Sequence, residues 1–149
     1  MKTTTTSIPL RVQASAAIAR SAHYAGDLTV SRLRRVVDCL ASDQGVVHVD
    51  LKALKAADGT SHLQGRISGE VEMRCQRCLQ VYRQPLVFDL DLRLVSSEAE
   101  EARLMRECEP YLLIDDNLPL QEVIEDEVML ALPLAPHCSR LECSGGGTG

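Results

Sequence analysis

The chain has 149 residues, 45% of them hydrophobic and 25% charged, which fits one soluble folded domain and excludes a disordered chain. One Phe, three Tyr and no Trp argue against a protein that reads single-stranded nucleic acid by stacking bases on exposed rings. The net charge of −5 is unevenly spread: residues 1–83 carry 12 Lys and Arg against 7 Asp and Glu, and residues 84–149 carry 4 against 14. A phosphate backbone could approach only the first portion, and a basic protein would favour the second.

In chain order, Pro9 to Val12 alternates as the start of a short strand. Ala14 to Ala22 is Ala-rich and reads as one or two helical turns closing around Gly26-Asp27. A second helix is expected next, with Thr29 or Ser31 as N-cap and Val30, Leu33, Val37, Leu40 and Ala41 at helical spacing as far as Gly45. That stripe places Cys39 in the core and leaves Arg32, Arg34 and Arg35 on or beside the solvated face. From Val46 the period becomes two. Val47, Val49 and Leu51 alternate with polar residues, as do Ile67 to Cys75 and then Leu86 to Leu94, with a turn at Ala57 to Thr60. Three such segments predict an antiparallel meander with one wet face. An acidic connection from Ser96 to Glu109, partly helical, leads to a short strand at Pro110 to Ile114.

The clearest helix opens after Asp115-Asp116-Asn117 and runs from Pro119 to Leu132, where Pro133 stops it. At 100° per residue, Leu120, Val123, Ile124, Glu127, Leu130 and Ala131 share one stripe, and Glu122, Glu125 and Asp126 face away. A carboxylate inside an apolar stripe needs a cation or backbone donors, so Glu127 is expected to pair with Arg74 or Arg77. The Gly-rich residues 144–149 are expected to be disordered, leaving residues 1–143 as a single domain. The expected class is α+β: an antiparallel β-meander with an N-terminal helix and a C-terminal amphipathic helix. No apolar run nears the ~20 residues of a membrane span, and no secretory signal opens the chain, so a cytoplasmic protein is expected.

Six cysteines stand at 39, 75, 78, 108, 138 and 143. Cys75-Gln-Arg-Cys78 at a strand end and Cys138-x4-Cys143 beyond the last helix could supply four thiolates to one tetrahedral zinc, tying the C-terminus to the sheet. His137 is a spare nitrogen ligand, and Cys108 has no evident role. The alternative is a thiol redox protein using the Cys75/Cys78 pair, although such motifs usually open a helix, where the dipole lowers the thiol pKa. Arg66, Arg74, Arg77 and Arg83 lie around the first pair. They could offset thiolate charge or, with Arg32, Arg34 and Arg35, touch RNA phosphates. The acidic face of Glu122, Glu125 and Asp126 would suit a basic protein. Phosphate loops, nucleophile elbows and zinc-protease motifs are missing, so no catalytic residue, enzyme activity or small-molecule substrate is expected.

Two stretches resemble a known family. Gly69-Glu-Val-Glu-Met-Arg-Cys75-Gln-Arg-Cys78-Leu79 is similar to the cysteine core of the YceD proteins, described as large ribosomal RNA subunit accumulation proteins. Glu122 to Pro136, an acidic helix running into Leu-Pro, resembles their second signature. The resemblance spans Ile8 to Cys143. Pro119 stands where the family usually has Asp, some members carry His at the position of Cys138, and many continue past Cys143 with an Asn-Pro-Phe stretch. The resemblance implies a non-enzymatic ribosome biogenesis factor needed for normal 23S ribosomal RNA, acting in its synthesis, processing or assembly. The expected partner is large-subunit ribosomal RNA or a precursor, a basic ribosomal or assembly protein suited to the acidic portion, or both. A processing nuclease is the third class, and nothing in the motifs promotes it.

Overall fold

The computed structural model describes residues 8–104 and 110–138. β1 (Val12–Gln13) leads directly into α1 (Ala14–Ala19), followed by β2 (His23–Thr29), a 3-10 turn (Val30–Arg32) and α2 (Arg34–Val37). The meander proper is β3 (Gly45–Lys55), β4 (Ser61–Arg74) and β5 (Val81–Val95). It is followed by α3 (Glu98–Leu104), β6 (Pro110–Leu112), β7 (Asn117–Leu118) and α4 (Leu120–Ala131). The main sheet has the order β2-β3-β4-β5-β6, antiparallel except for the edge pair β5–β6, which is parallel. A separate two-residue ladder pairs β1 with β7, joining the N-terminal segment to the entry of α4.

The alternation seen in the sequence is the pleat. Val47, Val49, Leu51 and Ala53 of β3, Leu63, Ile67, Val71 and Met73 of β4, and Leu86, Leu90, Leu92 and Leu94 of β5 are all buried. Register aligns them in rows, with Val49 opposite Ile67 and Ile67 opposite Phe88. Ala14 and Ala17 of α1, Val30, Leu33 and Val36, and Leu120, Val123, Ile124 and Val128 of α4 join them in one core. Each fully buried Leu or Ile contributes roughly 1.5–3 kcal/mol by leaving water. The opposite face is polar, with cross-strand pairs such as His48–Asp27 at 2.7 Å and Arg66–Asp89 at 2.8 Å.

Four expectations need correction. His23–Thr29 is a strand on the sheet edge, not a helix closure, because Gly26 takes an inward position opposite Val49 and hides the alternation of Tyr24 and Leu28. The second helix is a 3-10 turn and one α turn, since the buried positions Val30, Leu33 and Val36 recur every three residues. Cys39 then falls past the helix end and is exposed, with its thiol donating to the Arg35 carbonyl. In α4 the stripe runs through Leu120, Val123, Ile124 and Val128. Glu127 is half-buried at its margin, Ala131 is exposed and Leu130 is 73% exposed.

A candidate metal centre at the end of the sheet

β4 and β5 are joined by Cys75 to Gln80, and backbone bonds define this turn. The Cys75 N–H donates to the Gln80 carbonyl at 2.9 Å, continuing the ladder by one step, and the Leu79 N–H donates to the Cys75 carbonyl at 2.9 Å. Leu79 adopts a left-handed φ of +64°, which lets the chain reverse, and its side chain is left in solvent. The Arg74 guanidinium donates to the Leu79 carbonyl at 2.9 Å and braces the same turn. Inside it, the N–H groups of Arg77 and Cys78 both point at the Cys75 sulfur, at 3.3 and 3.4 Å. Donors aimed at a sulfur favour its thiolate, the form that binds metal.

Cys138 arrives from the other end of the chain. After α4, Pro133 prevents further helix, and the extended segment docks on the turn through a 2.8 Å bond from the Gln76 N–H to the Pro136 carbonyl. The sulfurs of Cys75, Cys78 and Cys138 then lie within 4.8 Å of one another, with Cys78 and Cys138 at 3.7 Å. Thiolates bound at ~2.3 Å to a tetrahedral zinc sit about 3.8 Å apart, so this spacing suits a metal. Cys75 and Cys138 are buried and Cys78 is half-buried. Burial pushes the Tyr82 hydroxyl pKa up, and the neighbouring charges of Cys75 and Cys138 push it the same way. His137 is exposed and is not among the clustered ligands. Cys143, the expected fourth ligand, lies outside the described residues, as do Cys108 and residues 144–149.

The arginines do not form one patch around the turn. Arg66 pairs with Asp89 across β4 and β5, and Arg83 lies 3.6 Å from Glu70. Arg35 reaches Asp126 at 2.6 Å and Glu125 at 3.3 Å, and its backbone N–H donates to Glu125 at 2.6 Å. Glu125 and Asp126 are therefore engaged within the molecule, and Glu122 is the exposed member of that acidic trio. Arg32, Arg34 and Arg77 are exposed and make no ion pair among the described residues. Leu40, Ala41, Arg74, Leu79 and Pro136 border a groove of about 290 Å³ beside the cysteine turn.

Sequence reasoning missed the role of Glu125. It satisfies a backbone donor at the start of α2 from 90 residues away, and no local signal marks it. The family model described as "Large ribosomal RNA subunit accumulation protein YceD" matches residues 63–148, which include β4 from Leu63 onward, β5, α4 and all four cysteines of the expected metal set. The chain belongs to the YceD family. A YceD relative from Haemophilus influenzae (strain ATCC 51907 / DSM 11121 / KW20 / Rd), named "Large ribosomal RNA subunit accumulation protein YceD", is 26% identical over 137 residues. That alignment covers 91% of this chain and 79% of the relative. No solved structure matches. The YceD match includes both halves of the cysteine cluster, and the turn and the segment that docks on it lie within one family unit.

Proposed function

We propose that this chain is a non-enzymatic ribosome biogenesis factor of the cytoplasm that supports accumulation of 23S ribosomal RNA by binding. The observation that carries this reading is the YceD match across the cysteine turn and α4, together with the name of the Haemophilus relative. Zinc is the cofactor of the proposal, held by Cys75, Cys78 and Cys138 with Cys143 as fourth ligand. Three sulfurs at metal spacing and amide donors on Cys75 support it. The metal's part is structural, pinning the C-terminal segment to the sheet. A redox protein built on Cys75 and Cys78 alone fits less well, because Cys138 completes the cluster.

Ribosomal RNA or its precursor is proposed to meet Arg32, Arg34, Arg74 and Arg77, the expected cations that no carboxylate holds among the described residues. Arg35, Arg66 and Arg83 belong to the same candidate set but are engaged with Asp126, Asp89 and Glu70. A basic ribosomal or assembly protein is the second partner class, favoured by the exposed Glu122 and the net charge of −5. Cells depleted of the protein should show a reduced ratio of 23S to 16S ribosomal RNA that the wild-type gene restores. A full ratio in depleted cells would overturn the reading. Pull-down with and without nuclease treatment then distinguishes the two partner classes.

A further inference from the structure

We infer that Cys78 and Cys138, and not the adjacent-looking pair Cys75 and Cys78, form a modification site at which a hydroperoxide closes a disulfide in place of the metal. The inference rests on the zinc reading only for what is displaced. Its chemistry rests on the sulfurs themselves. The Cys78 and Cys138 sulfurs are already in van der Waals contact at 3.7 Å, and about 1.7 Å of further approach makes a normal S–S bond. The Cys75 sulfur is fully buried and is oriented by the N–H groups of Arg77 and Cys78, which hold it inside the turn. Cys78 is the most accessible of the three.

The steps balance. The Cys78 thiolate attacks the outer oxygen of the hydroperoxide. An S–O bond forms, the O–O bond breaks, and the departing alkoxide takes a proton from water to leave as an alcohol. Cys78 has then lost two electrons and is a sulfenic acid. The Cys138 thiol attacks the Cys78 sulfur, the S–S bond forms, the S–O bond breaks, and the hydroxide leaves with the thiol proton as water. Two thiols and one hydroperoxide become one disulfide, one alcohol and one water.

A metal held by these three sulfurs would lose two of its ligands and be released, while the new bond would still join the C-terminal segment to the β4–β5 turn. Oxidation would therefore empty the centre while a covalent link still holds the segment, whereas chelation would leave it held by the Gln76–Pro136 hydrogen bond without the metal. The groove between Ala41, Leu79 and Pro136 would keep its walls in the oxidised form.

The test treats the full-length protein, purified with its metal, with one equivalent of hydrogen peroxide, then follows zinc release with a metallochromic indicator. Disulfides are mapped by mass spectrometry of a non-reducing tryptic digest. Trypsin cuts after Arg74, Arg77, Arg83, Arg106 and Arg140, so Cys75 and Cys78 fall on separate peptides and Cys138 on residues 107–140. Fragmentation of that last peptide separates Cys138 from Cys108. The expected result is one zinc released per chain and a link between residues 78–83 and Cys138, lost in Cys78→Ser and retained in Cys108→Ser. A link from Cys75 to Cys78, or sulfinic acid at Cys78 without a link, overturns the inference. Protein purified without zinc that still forms the 78–138 link supports this inference while removing zinc from the proposed function. Zinc-loaded protein whose thiols stay reduced does the reverse.

Discussion

Asp58 and Thr60 show how one hydroxyl shapes a turn. The Thr60 hydroxyl donates to the Asp58 carboxylate at 2.6 Å and the Thr60 N–H donates to the same oxygen at 3.0 Å, closing the hairpin between β3 and β4. The hydroxyl first, then the N–H, holds this carboxyl below its ordinary range. Because the folded pKa is the lower one, the stabilisation is complete above the ordinary Asp value of about 3.9 and is lost as the pH falls through the folded value. Thr60→Val keeps the shape and the N–H but removes the hydroxyl. The Asp58 pKa should rise towards its ordinary value, read by NMR titration of the carboxyl carbon, and an unmoved titration would mean that the hydroxyl is not its main cause.

Among the elements, the helices depend on distant residues for their first turns. α1, α2 and α4 have no side-chain N-cap from the residue before them. Asp116 instead accepts the Ser15 N–H at 3.0 Å and the Ser15 hydroxyl at 2.6 Å, and Glu125 accepts the Arg35 N–H. At α4, Leu10 takes the Gln121 N–H at 3.2 Å and Ile8 takes its side-chain amide at 2.7 Å. The strands make a different demand. A Cβ on Gly65 would lie 1.9 Å from the Asp50 carbonyl oxygen of β3, so β3 and β4 approach there too closely for any side chain. Gly59, in the turn, has open space around it but a φ of +89°. Gly65→Ala should cost about 3 kcal/mol through overpacking, and Gly59→Ala about 1–2 kcal/mol through backbone strain alone. Urea denaturation measures both, and equal costs would mean that the close approach relaxes without penalty.

At the scale of the molecule, segments distant in the chain meet twice, once where β1 pairs with β7 and once where Cys138 reaches the β4–β5 turn. Chelation of a structural metal should lower stability by roughly 3 kcal/mol or more, the scale of a cross-link closing a long loop. Thermal unfolding with and without chelator reads this, and an unchanged midpoint would argue against a structural metal. The charge map changes at the same scale. Substituting Arg32, Arg34 or Arg77 by Ala should each reduce the slope of RNA affinity against salt by roughly one unit. Arg35→Ala should leave that slope nearly unchanged and loosen the packing of α2 on α4 instead, because its charge is already answered by Glu125 and Asp126. Equal slopes for all four variants would place the RNA elsewhere.

The meander, the inward rows of β3, β4 and β5, the last helix and the close spacing of Cys75 and Cys78 were legible in the sequence. In each case a period of two, a run bounded by proline, or a short cysteine spacing is a local property of the chain. β2 was not legible, because Gly26 interrupts its pattern and only pairing with β3 makes it a strand. The register of α4 was not legible either, since Val128 and Leu130 are equally apolar and only the position of the sheet buries one and exposes the other. The partners of Arg35 lie 90 and 91 positions away, so the sequence showed a basic cluster and an acidic helix face where folding pairs Arg35 with Glu125 and Asp126. Local chemistry is written in the order of residues. Which distant charges, carbonyls and sulfurs meet is decided by packing around the common core.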